Sequence, residues 1–130
     1  MTAPKFPLRL LSLALSVARL PDAAAIPAWA DGPGLASITR TADELSIVCA
    51  TARVPAAVQH EPGWRAFQLV GPVPFTTTGV VSALTAPLAT AGVGVFILST
   101  FDTDYLLVKE SNLAKAVAAL RAAGYDLRDV

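Results

Sequence analysis

Charge is scarce in this chain. Asp, Glu, Lys and Arg make up 15% of its 130 residues, the ten acidic and ten basic side chains cancel, and neither sign forms a run. A nucleic-acid footprint needs clustered Lys and Arg, so that class of partner is excluded. There is one cysteine, Cys49, which rules out an internal disulfide and any Cys-rich metal site. Its setting, Ile47-Val48-Cys49-Ala50, reads as a buried, inert thiol. That usage suits a reducing, cytoplasmic compartment. There is also one histidine, His60, in the loop-like stretch Gln59-His60-Glu61-Pro62-Gly63. No Ser, Cys or carboxylate arrangement accompanies it, so it reads as a solvated linker residue and the chain as no enzyme. No apolar segment reaches the ~20 residues that span a bilayer. Lys5, Arg9 and the apolar run Leu10 to Ala18 look superficially like a signal peptide. Arg19 and Asp22 interrupt that pattern, and Leu8 to Leu20 reads as a buried strand.

Apolar residues, by contrast, are plentiful at 54%. A chain of this length holds one ordinary domain or two very small ones sharing a core. So apolar a surface implies that part of it ends in a protein–protein interface.

The halves repeat weakly. At an offset of sixty, Gly32-x-Gly34 falls on Gly92-x-Gly94, Ala36–Thr39 on Phe96–Ser99, and Glu44–Val48 on Asp104–Val108. Each half then carries two strands joined by a short acid-containing turn. The second half is the more complete. Trp64–Val70 alternates as a strand does, and Gly71-Pro72 and Pro74 end it. Thr76, Thr77 or Thr78 is placed to N-cap a helix with Val80, Val81, Leu84, Leu88 and Ala91 at helical spacing, closed by Gly92. Pro87 falls inside it and should bend it. Strands over Val95–Phe101 and Asp104–Lys109 follow, then a helix capped by Ser111 and stopped by Gly124, and a tail able to form an edge strand. That order is β-α-β-β-α-β, the ferredoxin-like split βαβ. The first half has the same plan with reduced helices, about one turn near Pro27-Ala28-Trp29-Ala30 and a short segment over Val54–Gln59. The fold class is therefore α+β, with units at residues 1–60 and 61–130.

The stretch Gly71-Pro72-Val73-Pro74-Phe75-Thr76-Thr77-Thr78-Gly79 leads into a helix whose open N–H groups attract a carboxylate. Asp102 and Asp104 in the hairpin can receive an ammonium, and two carboxylates two residues apart share one side of an extended strand. Together these make a site for a small zwitterion. The plainer alternatives are an ordinary Thr cap and a polar hairpin turn. A metal is disfavoured, because Mg²⁺ or Ca²⁺ needs more oxygens than these two side chains supply.

Three segments carry a family resemblance over most of residues 8–124. They are Pro27–Ala30 with Ser37–Thr41 and Asp43–Cys49; Gly63-Trp64; and Ala86–Ala89 with Ser99–Lys109. In these the chain resembles the ACT domain proteins, in particular the tandem bacterial group related to CASTOR-type arginine sensors. The resemblance implies tandem ACT units, a regulatory or sensor role, a homodimer, no cofactor, and an amino acid bound at the interface between units. It places ligand contacts at Phe75, Thr76, Thr77, Thr78, Gly79 and Val80 in the loop and at Phe101 and Asp104 in the hairpin. The position of Thr77 is an acidic ligand contact in the sensor and is neutral here. A guanidinium would lose a partner worth ~1.5–3 kcal/mol, which argues against arginine. The alternative is a ligand-free module that uses the same edges only for assembly.

Overall fold

The computed structural model describes residues 4–130. Its contacts divide the described residues into two compact units, Leu13–Trp64 and a unit made of residues 4–12 with Arg65–Val130.

In the larger unit, β1 (Leu8–Leu10) and the second part of β5 (His60–Leu69) pair antiparallel, with Leu8 opposite Leu69 and Leu10 opposite Phe67. The chain then forms α1 (Val80–Thr90), β6 (Phe96–Ser99), β7 (Asp104–Lys109), α2 (Leu113–Ala122) and β8 (Leu127–Arg128). From β5 onward this is the β-α-β-β-α-β order. The strands lie side by side as β6-β7-β5-β1-β8, with β1 parallel to β8. A ferredoxin-like sheet would place the last strand beside the first. Here β1 is inserted between them, which explains why residues 4–12 belong to this unit. The Leu8–Leu20 run, read as one strand, is accordingly two, and they pair in different units.

Alternation puts Leu8, Leu10, Phe67, Leu69, Leu106 and Val108 on one face of the sheet. They are buried against Val80, Leu84 and Leu88 of α1 and Ala116 and Leu120 of α2. Pro87 is accommodated inside α1, where its missing N–H costs the helix one hydrogen bond of ~0.5–1.5 kcal/mol net. The end of α1 is closed by Gly92 N–H to Ala89 C=O and Val93 N–H to Leu88 C=O. Ser111 does not cap α2. It lies in a 3₁₀ turn over Glu110–Asn112, and the helix begins after Asn112 without a side-chain cap. Lys5 instead secures the far end of that helix, its Nζ donating to Ala123 C=O at 2.5 Å.

In the smaller unit, β2 (Leu15–Leu20), β3 (Ser37–Arg40), β4 (Leu45–Ala50) and the first part of β5 lie in the order β3-β4-β2-β5. The helices are reduced to 3₁₀ turns at Ala28–Ala30 and Thr51–Arg53; the second precedes the Val54–Gln59 segment read as helical, which is bend and turn around Pro55. Ala18, Ala30, Leu45, Ile47 and Cys49 form its core. The stretch from His60 to Gly63, read as a loop, is strand. Ala18 pairs with His60, and the register then slips beside Pro62 and Gly63, where a proline without an N–H and a glycine at φ 83° form a bulge. Because proline and glycine punctuate the sequence there, the strand reads as a linker.

The internal repeat is real, but its register is 59, not sixty. Strands β3 and β6 begin at residues 37 and 96, β4 and β7 at 45 and 104, and the 3₁₀ turns after them at 51 and 110. The aligned glycines misled, since it is Gly34 and Gly92 that share a left-handed φ. The two hairpin turns match instead through threonine. Thr41 N–H donates to Glu44 C=O at 2.9 Å and Thr100 N–H to Thr103 C=O at 2.8 Å.

Cys49 is fully buried. Burial raises its thiol pKa, and the nearby Arg53 guanidinium opposes this through its charge and a hydrogen bond. A raised folded-state pKa means that the unfolded chain loses its thiol proton first as pH climbs. Stability should therefore be intact below about pH 8.5, the thiol's ordinary value, and decline above it. Urea midpoints at pH 7.5 and 9.5 should differ less for Cys49→Ala than for the parent chain.

Candidate functional site

A hollow of about 320 Å³ opens in the larger unit between the 71–79 loop, the first turn of α1 and the tip of the β6–β7 hairpin. Three hydrogen bonds hold these segments in place. Val73 N–H donates to Asp102 C=O at 2.7 Å, Thr103 Oγ1 donates to Leu69 C=O at 2.6 Å, and Thr77 N–H donates to Pro74 C=O at 3.0 Å. Gly71 is required where the loop leaves β5, because a Cβ there would sit 2.7 Å from the Val73 amide nitrogen.

None of the three threonines caps α1. The N-cap position is Gly79, at φ 77° and ψ 2°, and no side chain caps the helix start. The loop closes a turn at Pro74–Thr77 and then passes through the left-handed region, a conformation costing roughly 1–2 kcal/mol for residues with a Cβ. Gly79 C=O accepts from Ala83 N–H at 2.9 Å as the first helical bond. The amides of Val80, Val81 and Ser82 precede that bond and have no acceptor within the helix. They carry the positive end of its dipole.

Across the hollow, Asp104 begins β7. Ser99 Oγ donates to its Oδ1 at 2.5 Å, which fixes the carboxylate. Phe75 from the loop and Phe101 from the hairpin meet edge to face, with ring centroids 5.1 Å apart and planes at 87°. They are 76% and 79% exposed. The aromatic pair thus links the two segments that bound the hollow.

Residues 59–122 match the ACT domain family model, and a second model, described as an N-terminal domain, matches residues 14–57. The chain is an ACT domain protein. Over 59 residues, 45% of this chain, it is 32% identical to the human protein named cytosolic arginine sensor for mTORC1 subunit 1. That stretch is 18% of the sensor's length, so the chain corresponds to a small part of it. Among solved structures, protein Atu0741 from Agrobacterium tumefaciens is 49% identical, with 96% of this chain and 93% of that one covered at a TM-score of 0.91. The ligand-free regulatory subunit of aspartate kinase from Thermus thermophilus shares the fold, at 11% identity, 93% and 99% coverage and a TM-score of 0.60.

Of the ligand contacts expected from sequence, this ACT unit brings Phe75, Thr77, Gly79, Val80, Phe101 and Asp104 together around the hollow. Thr76 and Thr78 are exposed and do not line it. Asp102 does not share the side of Asp104. It precedes β7 in a bend, where strand alternation does not apply, and lines a separate hollow of about 270 Å³ with Gln68, Gly71 and Pro72. Val73, Pro74, Val81, Ser82, Ser99, Thr100 and Thr103 also line the hollow, without having been singled out. Most read from sequence as strand or helix residues. Only the Thr-x-x-Thr spacing across the turn hinted at Thr100 and Thr103.

Thr103 is 8% exposed, and its hydroxyl satisfies Leu69 C=O. Thr103→Val should cost about 1–3 kcal/mol in stability by stranding that acceptor, measured by chemical denaturation. It should also loosen the 71–79 loop, read as faster amide exchange at Val73.

Proposed function

We propose that this protein is an amino-acid-binding regulatory or sensor protein, with the ligand held in the hollow between Gly79 and Asp104 where one ACT unit meets another. The observation that carries this reading is the opposition of unbonded first-turn amides and a fixed carboxylate across a small cavity. An α-carboxylate suits the amides of Val80, Val81 and Ser82. An α-ammonium suits Asp104, one charge-assisted bond contributing about 1.5–3 kcal/mol. The hollow is lined by no His, Cys, Lys or Arg, and its one carboxylate, Asp104, is held by Ser99. The ACT family match and the arginine-sensing role in the human relative's name support a regulatory reading. Arginine itself fits poorly, because Thr77 is neutral. The buried lone thiol and the cytosolic relative support a cytoplasmic setting.

Regulation follows by population shift: a ligand that binds better to one quaternary arrangement stabilises that arrangement. The arrangement we favour is a homodimer joined along β6, which ends its sheet with β7 as its partner and leaves Val95 partly exposed. A ligand-free assembly module is the second reading, favoured by the exposed Phe75, Phe101, Val81 and Val95.

Thermal unfolding against each of the twenty amino acids separates the two. At a hundredfold excess over its Kd, a true ligand adds ~2.7 kcal/mol of stability, and Asp104→Ala should erase that gain. No shift with any amino acid, together with a dimer whose mass is unaffected by all of them, would leave assembly as the function.

A further inference from the structure

The charge inventory of the hollow says more than that an amino acid binds. Asp104 is the single ionisable side chain lining it, and Ser99 already holds one of its oxygens. An α-amino acid uses that carboxylate for its ammonium and the α1 amides for its carboxylate. Both charged features of the hollow are then occupied. The remaining lining is apolar or aromatic, Val73, Pro74, Phe75, Val81 and Phe101, with scattered hydroxyls. A cationic side chain finds no second acid there, since Asp102 lies in the neighbouring hollow. An anionic side chain finds no base and faces Asp104. A charge moved from water into such surroundings without a partner is strongly disfavoured, and an unmatched charge is an efficient means of rejecting a competitor.

Resting on the amino-acid reading above, we propose that the site selects amino acids with an uncharged, apolar side chain. The Phe75–Phe101 pair is the wall against which that side chain packs. The rings are suited to this role because they come from opposite banks of the hollow and already touch at 5.1 Å, so a side chain lying on them gains contact with both. Their exposure also makes them dispensable for the core, which separates their contribution to binding from any contribution to folding.

Titration calorimetry of the full chain tests this with leucine, methionine and phenylalanine against arginine, lysine, aspartate and glutamate, with glycine as the ligand lacking a side chain. The apolar amino acids should bind at least tenfold more tightly than every charged one. Phe101→Ala, and independently Phe75→Ala, should weaken the apolar ligands at least fivefold while leaving glycine unchanged. A merely structural role would weaken all ligands alike. Binding of any charged amino acid as tight as that of the apolar ones would overturn the selectivity and leave the amino-acid reading intact. Uniform weakening by both variants would overturn the aromatic wall. No heat with any of the eight would overturn the amino-acid reading and the selectivity with it.

Discussion

The hydroxyl of Thr103 is where three segments become one site. Its proton goes to the last carbonyl of β5, Leu69 C=O, at 2.6 Å, while its own carbonyl accepts from Thr100 N–H to close the hairpin turn. One residue earlier, Asp102 C=O accepts Val73 N–H from the loop. A strand end, a loop and a hairpin tip are thus tied by bonds that converge on two consecutive residues. The loop contains four glycines and prolines before α1 and no helix or strand of its own, so without these bonds little would fix its distance from Asp104. The opposition of helix amides and carboxylate therefore depends on a side chain that touches neither. Buried hydrogen bonds of this kind contribute modestly when made and are costly to break, which suits a contact that sets geometry.

The smaller unit solves a different problem. Its connections, interrupted by Pro21, Pro27, Pro33 and Pro55, form no α-helix, so several carbonyls have no helical N–H to accept from. Guanidinium groups supply the missing donors. Arg53 donates from Nε to Trp29 C=O at 3.2 Å and from Nη1 to Pro33 C=O at 2.9 Å. Arg40 reaches Ala24 C=O at 2.8 Å and also bonds Asp22 C=O. The planar fork of an arginine can serve two carbonyls at once, and here two arginines stabilise the segment that takes the place of a helix. The scarcity of charge in the sequence makes these assignments informative, since several of its few cations serve the backbone and not a surface field.

How far the sequence was readable follows from which constraints are local. The β6–β7 hairpin, both long helices and the reduced helix near Ala28–Ala30 are local patterns of alternation, helical spacing and proline content, and all are legible. Three features were not. The insertion of β1 between β5 and β8 joins residues more than fifty apart, and nothing in Leu8–Leu10 distinguishes this pairing from continuation into β2. The strand through Pro62-Gly63 carries the punctuation of a loop because a bulge uses the same residues. The start of α1 was misread because threonine is a common cap, whereas the helix begins at a left-handed glycine that leaves its amides without side-chain partners.

That last misreading bears on the site more than the others. A threonine cap would have satisfied one of the first-turn amides and reduced their attraction for an external carboxylate. Entry through Gly79 leaves the first-turn amides without a side-chain cap, while Thr77 lines the hollow and Thr76 and Thr78 do not. A folded protein leaves such amides open at low cost where water reaches them. The same opening makes them available to a ligand that brings its own negative charge. The local sequence, glycine in place of a capping residue, thus decides whether the start of α1 is closed by a side chain or left with open donors, and here it is the second.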